Sequence, residues 1–141
     1  MSDPILHFGL AEYATRLAGA RAAMAAQSID TLIVHDPSNM SWLTGYDGWS
    51  FYTPQCVIVG ATGDPVWFGR GMDVNGAKRT TYLSDDDIIG YPDHYVMSTE
   101  RHAMDYLATT TLSDRGWATG RIGVEFDNYY YSARAHARLV E

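Results

Sequence analysis

Apolar positions recur along the chain in two patterns, one with helical spacing and one as short uninterrupted runs. Helical spacing predicts amphipathic helices over 10–27 and 101–112, and a third helix beginning at Ser132. The stripe of the first helix consists of Leu10, Tyr13, Leu17, Ala20 and Met24. The stripe of the second consists of Met104, Leu107, Ala108 and Leu112. The short runs predict strands over 29–34, 55–59, 66–68, 88–91 and 121–126.

Turn residues separate these elements. Asp36-Pro37-Ser38-Asn39 predicts a turn that caps a short helix, which Gly45 would end. The segment 60–65 is rich in Gly and Pro and predicts a hairpin connection between two strands. A short helix is predicted over 72–79. The alternation of helices and strands, with one hairpin, predicts a three-layer α/β/α fold in which helices cover both faces of a mixed β-sheet.

Composition narrows the function classes. The chain has 141 residues with 46% hydrophobic and 19% charged, which suits one globular domain over 1–141. A formal net charge of −7 and the lack of a basic stripe argue against a nucleic-acid or membrane-surface partner. No run is long enough to span a bilayer, and 1–8 lacks the pattern of a signal peptide. Cys56 is the single cysteine, which leads us to expect a cytoplasmic protein.

The sequence offers no convincing catalytic motif. The segment 57–63 superficially resembles a dinucleotide-binding loop, but a strand follows it where such a loop needs a helix, which favours the hairpin. Asp85-Asp86-Asp87 lacks the alternating ligands of a calcium loop. Cys56 heads an apolar strand, where a cysteine is more often inert than nucleophilic. No Ser-His-Asp arrangement can be assembled, and we expect no catalytic residue in this chain.

One cluster has residue types that suit zinc, formed by Asp93, His94, Glu100 and His102. Their spacing matches no helical metal-binding pattern. Glu100 and His102 stand near the start of a predicted helix, where a carboxylate is favoured by the helix dipole without any metal. The sequence therefore favours a structural role for these residues, and we expect no metal site.

Aromatic residues crowd the segment 42–55, in which Gly45 and Gly48 interrupt regular structure. Trp42, Tyr46, Trp49, Phe51 and Tyr52 make up this group. Such a group walls a small-molecule pocket, anchors a subunit contact, or covers the end of the domain's own core; the first two are favoured. Aromatic rings would also attract a cationic or zwitterionic ligand. A second group, Tyr129-Tyr130-Tyr131, is typical of packing at a domain edge.

The run Asp36-Pro37-Ser38-Asn39-Met40-Ser41-Trp42-Leu43-Thr44-Gly45-Tyr46 resembles a signature of the amino-terminal domains of the creatinase, prolidase and aminopeptidase P superfamily. The first predicted helix and the strand after it fit the same pattern. Segments 44–52, 69–73, 90–95 and 98–102 are similar to the ectoine hydrolase subgroup. The resemblance covers 8–139, nearly the whole chain.

This resemblance implies an α/β domain that precedes a larger catalytic pita-bread domain. The last predicted helix reaches Glu141 without a Gly or Pro stop, so we expect the natural chain to continue. In the metallopeptidases of the superfamily the second domain holds a dinuclear metal site, whereas creatinase-type members work without metal. We therefore expect no cofactor in this domain, with a divalent metal possible in the catalytic domain.

The resemblance also implies a homodimer in which each amino-terminal domain closes over the partner's active site. In creatinases an aromatic residue and an arginine from this region reach the substrate. The aromatic corresponds to Phe51, but the arginine position falls near Thr53, which departs from the creatinase pattern. For an ectoine-like zwitterion, Trp49, Phe51 and Tyr52 would form stacking walls in trans. Arg70 could supply a counter-charge, although a surface role fits it equally well.

The resemblance implies two functions, and a third stays open without it. The first is a non-catalytic domain of a dimeric C–N hydrolase that opens the ring of ectoine or a related compatible solute. The second is the corresponding domain of an Xaa-Pro peptidase or a creatinase. The third is a free-standing binding module.

Overall fold

A computed structural model describes residues 3–141. Met1 and Ser2, which begin the segment without a signal-peptide pattern, lie outside the described residues. The strands are β1 (Thr31–Val34), β2 (Cys56–Val59), β3 (Val66–Arg70), β4 (Ile88–Tyr91) and β5 (Ile122–Val124). The helices are α1 (Leu10–Ala26), α2 (Pro37–Thr44), α3 (Val74–Thr80), α4 (Ala103–Tyr106) and α5 (Ala133–Val140).

The five strands form one mixed sheet in the order β4-β3-β2-β1-β5. β2 pairs antiparallel with both β1 and β3, so the predicted hairpin over 60–65 is confirmed. β5 pairs parallel with β1, and β4 pairs parallel with β3. All five strands lie within a residue or two of the predicted ranges, because short apolar runs bounded by turn residues are a strong strand signal.

Side chains alternate across the sheet and separate the core into two clusters. On one face, Val57 and Trp67 pack against apolar residues of α1, α2 and α3. On the other, Ile58 and Phe68 pack against α4, its continuation and α5. The predicted α/β/α layering with a mixed sheet is therefore confirmed. Among the described residues, no helix combines the length and apolar character that a bilayer span requires.

Three details of the helices differ from the predictions. Leu10 was expected on the buried stripe of α1 but is 63% exposed, because it is the first residue of the helix and precedes Tyr13, where burial begins. The helix predicted over 72–79 is a 3-10 turn, Gly71–Asp73, followed by α3. The helix predicted from 101 begins at Ala103, because His102 is its N-cap.

The same helix is not regular throughout, since α4 continues as a π-helix over Leu107–Leu112. The hydroxyl of Thr109 donates to the carbonyl of Asp105 at 2.7 Å, and that of Thr110 donates to the carbonyl of Tyr106. Hydroxyls that bond the preceding turn compete with the backbone ladder and bend helices. Leu107 and Leu112 of the predicted stripe nevertheless remain buried.

Candidate functional site

The aromatic segment 42–55 divides between core and surface. Tyr46 is buried, packs on Trp67, and donates a hydrogen bond from its hydroxyl to Gln55 Oε1 at 3.1 Å. Trp49 and Tyr52 are 82% and 73% exposed, and Phe51 is 41% exposed. The core-cover setting therefore holds for Tyr46, whereas the pocket and interface settings stay predictions for the exposed residues. Trp42, in α2, is 46% exposed and lies beside the guanidinium of Arg16. Trp49, Phe51 and Tyr52, called here the aromatic loop, are the exposed residues that follow this helix.

The helix before this loop begins with a dense set of hydrogen bonds. Asp36 caps α2 by accepting from the backbone N–H of Ser38 at 2.8 Å, as its sequence position predicted. Glu125 lies just after β5, and its carboxylate accepts from the backbone N–H groups of His35 and Asp36 and from the side chain of Asn39. These bonds join the start of α2 to the end of β5 and fix the frame from which the aromatic loop extends.

Beside the aromatic loop lies a cleft of about 180 Å³. Phe51 and Tyr52 form one wall, and Tyr129 and Tyr130 form another. The rings of Phe51 and Tyr130 meet edge to face, with centroids 6.1 Å apart. Tyr131, by contrast, is buried, and its hydroxyl lies 2.9 Å from His136 Nδ1. Two separate aromatic groups of the sequence thus come together, while Tyr131 alone fits the predicted packing role.

Two histidines also line this cleft, and no sequence pattern indicated that they would lie together. His35 follows β1 and is 1% exposed, with its ring 4.5 Å from that of Tyr131. Burial, aided by the nearby His102, lowers the pKa of His35 to about 4. Burial and the charge of Arg134 lower the pKa of His102 as well. Both imidazoles are therefore neutral at neutral pH.

Among residues 3–141, no aspartate or glutamate lines the cleft, although the chain carries a net charge of −7. The N-terminus of α5 also lies at the cleft, where the Ser132 hydroxyl accepts from the N–H of Ala135 at 3.1 Å. The first turn of a helix carries partial positive charge. The floor of the cleft therefore favours a hydrogen-bond acceptor or an anion.

Arg70 stands at the end of β3 and does not line this cleft. Its guanidinium donates to both carboxylate oxygens of Asp93, at 2.8 and 3.2 Å. The guanidinium holds the pKa of Asp93 below its ordinary value. The role of Arg70 as a counter-charge for a ligand stays a prediction, and Asp93 already occupies that guanidinium.

Three of the four residues whose types suit zinc have other contacts in the structure. Asp93 pairs with Arg70, His94 lies against the ring of Tyr95, and His102 Nδ1 accepts from the N–H of Met104. Within residues 3–141, no group of three or more His, Cys, Asp or Glu side chains is placed to hold a metal. The triple aspartate segment 85–87 forms a 3-10 turn.

Cys56 is fully buried in β2, and burial raises the pKa of its thiol. A protonated thiol without solvent access is a poor nucleophile, in agreement with the inert role expected from the sequence. The cleft thus combines aromatic walls with the polar side chains of His35, His102 and Ser132.

Residues 16–140 match the sequence profile of the creatinase/prolidase N-terminal domain. The chain belongs to this family. Creatinase/prolidase N-terminal domains with the same fold have been solved from several bacteria. An Xaa-Pro dipeptidase N-terminal domain from Lactobacillus brevis superimposes with a TM-score of 0.71 at 18% identity, covering 89% of this chain and 85% of that one. A proline dipeptidase from Streptococcus agalactiae gives 0.69 at 19% identity, with the same coverage.

Sequence similarity within the family is higher to two other proteins. The chain is 57% identical to an ectoine hydrolase of Halomonas elongata over 135 residues, which are 96% of this chain and 34% of that protein. It is 48% identical to an uncharacterised hydrolase/peptidase of Sinorhizobium fredii, over 96% of this chain and 34% of that protein. The chain therefore spans about a third of the length of these relatives.

Proposed function

We propose that this chain is the amino-terminal domain of a homodimeric C–N hydrolase that opens the ring of ectoine or a closely related solute. The observation that carries the proposal is the 57% identity to the Halomonas ectoine hydrolase along 96% of this chain. The free Cys56 agrees with a cytoplasmic enzyme. The reactive groups, and any divalent metal, would reside in the part of the protein that follows this domain.

In this proposal the aromatic loop forms a lid over the active site of the partner subunit. Its rings follow one another, with centroids 6.3 Å apart for Trp49 and Phe51 and 6.4 Å apart for Phe51 and Tyr52. Exposed apolar groups of this kind mark a surface that another molecule covers. A cyclic amidinium is flat and positively charged, so it would stack on such rings and gain cation–π attraction.

The lid would contribute binding and exclusion of water rather than bond-breaking. Expulsion of water from a closed site strengthens the electrostatic interactions inside it. The aromatic loop carries no carboxylate, histidine, cysteine or lysine, which suits a wall and not an acid or base.

The test is to truncate the lid in the longer, dimeric protein. Trp49→Ala and Phe51→Ala should each lower kcat/KM for ectoine by about tenfold, since a desolvated ring–cation contact contributes about 1–2 kcal/mol. Phe8→Ala is the matched control, because Phe8 is an exposed aromatic that stacks on Arg16 away from the cleft. Wild-type kcat/KM in both Trp49→Ala and Phe51→Ala would refute the proposal that the aromatic loop forms a lid.

The substrate is tested by the same assay with a second compound. The relative from Sinorhizobium fredii is described as a hydrolase/peptidase, which keeps an Xaa-Pro peptidase as the second candidate. Hydrolysis of ectoine without cleavage of a proline dipeptide is the expected result. Cleavage of the dipeptide alone would replace the ectoine proposal with the peptidase.

A further inference from the structure

The floor of the cleft holds hydrogen-bonding capacity that the fold does not use. His35 is 1% exposed, yet neither of its ring nitrogens has a hydrogen-bond partner among residues 3–141. Leaving a buried polar atom unpaired costs about 1–3 kcal/mol. Such a group needs an explanation beyond packing, and a ligand that pairs with it is one explanation.

His102 offers a donor at the same place. Its Nδ1 accepts a hydrogen bond from the backbone N–H of Met104 at 3.1 Å. The proton of the neutral ring therefore resides on Nε2. No residue in the described part of the chain accepts a hydrogen bond from this Nε2–H, and His102 lines the cleft.

The charges around the cleft favour a negatively charged hydrogen-bond acceptor. The lining lacks carboxylates, and the N-terminus of the eight-residue helix α5 contributes partial positive charge. Repulsion of an anion is therefore small on the floor, while the rings of Phe51 and Tyr130 favour a cation or flat apolar body at the walls. A small zwitterion that carries a carboxylate matches both ends of the cleft.

We propose that His102 Nε2–H, together with the nearby His35, receives the carboxylate of a small zwitterionic ligand whose cationic ring lies against Phe51 and Tyr130. The identity of the ligand as ectoine rests on the proposed function, whereas the carboxylate site does not. The site also differs from the role predicted for Arg70, whose guanidinium is held by Asp93. His102 is thus the residue that recognises the carboxylate of the ligand.

The test is a titration of the 141-residue chain labelled with ¹⁵N in its histidines. The structure of an isolated N-terminal domain with this fold has been solved, so we expect the 141-residue chain to fold alone and to suit the titration. Ectoine should shift the Nε2 resonance of His102, and acetate should shift the same resonance at higher concentration. The carboxamide of ectoine, which lacks the negative charge, should leave it in place.

Variants test the same contact by affinity. His102→Asn keeps an N-cap acceptor for α4 but removes the Nε2–H, so binding of ectoine should weaken by about tenfold or more. His94→Asn is the matched control, because His94 is exposed and outside the cleft, and it should bind as the wild type does. The wild-type spectra answer the question even if a variant folds poorly.

The outcomes separate the two proposals. A shift with acetate but not with ectoine would keep the carboxylate site and count against ectoine as the ligand. A His102 resonance that responds to neither compound would overturn the site. Binding of ectoine that is weakened by Arg70→Gln and not by His102→Asn would also overturn it, by assigning the carboxylate to Arg70.

Discussion

The carboxylate of Glu125 accepts a hydrogen bond from the backbone N–H of Asp36, 89 residues earlier, at 2.9 Å. The same carboxylate accepts from the N–H of His35 at 2.5 Å. Asp36 in turn caps α2 and accepts from the side chain of Asn128 at 3.1 Å. A single acidic side chain thus joins the start of the motif 36–46 to the segment that carries Tyr129 and Tyr130.

Replacing Glu125 should therefore destabilise the domain. Glu125→Ala leaves two backbone N–H groups without their acceptor, and we expect the free energy of unfolding to fall by about 2–3 kcal/mol. Glu125→Gln keeps an acceptor oxygen and should cost less. Asp127→Ala is the control, because Asp127 is exposed nearby and should change stability little. Urea denaturation measures all three, and equal stability of Glu125→Ala and Asp127→Ala would contradict this role.

Gly45 and Gly63 form a matched pair that tests how α2 ends. Both have a positive φ, 87° and 78°, so an alanine costs about 1 kcal/mol at either position. At Gly45 a Cβ would also lie 2.7 Å from the Thr80 carbonyl oxygen and 2.9 Å from the Tyr13 hydroxyl, whereas nothing lies within 4 Å at Gly63. We expect Gly45→Ala to lose about 3 kcal/mol in all. Thermal or urea unfolding would contradict this if the two variants were equally stable.

Stability should fall in mild acid because His35 is buried in its neutral form. Its pKa is lowered from 6.5 to about 4, so between these values the unfolded chain binds a proton that the folded chain does not. Stability contributed by the neutral ring is complete above the unfolded pKa and is lost as the pH falls toward the folded one. The expected loss from this group is about 2 kcal/mol between about pH 7 and pH 5.

The variant that checks this assignment is His35→Phe, which keeps a flat ring against Tyr131 and removes the titration. Its free energy of unfolding should depend less on pH over the same range, by about the amount just given. His94→Phe, at an exposed histidine, is the control for replacing a histidine by phenylalanine. A wild-type slope in His35→Phe, measured by urea denaturation across the pH range, would refute the assignment.

The sheet and the helix caps were predictable because their signals are local. Strand β4 occupies the predicted 88–91, and Asp36 and Gly45 bound α2 where turn chemistry placed them. The π-helix was not predictable from apolar spacing, which carries no information on threonine hydroxyls that bond the preceding turn. The predicted burial of Leu10 was wrong because apolar spacing identifies which face of a helix is buried, but not at which residue along the helix burial starts.

The cleft was predictable only in part. The aromatic loop was identified by composition, yet its partner Tyr130 is far away in sequence and was assigned to packing. His35 was interpreted as a strand-end residue and His102 as part of a helix start, and each interpretation is locally correct. The approach of Tyr130 to His35 depends on the parallel pairing of β5 with β1, and the approach of His102 depends on the packing of α4 against the sheet; no local pattern encodes either.

We propose that this domain shapes a substrate cavity without carrying out the reaction. The most direct measurement is to incubate the 141-residue chain with ectoine and follow both binding and hydrolysis in the same sample. We predict a shift of the His102 resonance with ectoine remaining intact. Hydrolysis that scales with the concentration of the chain and persists after removal of contaminating enzymes would contradict the claim.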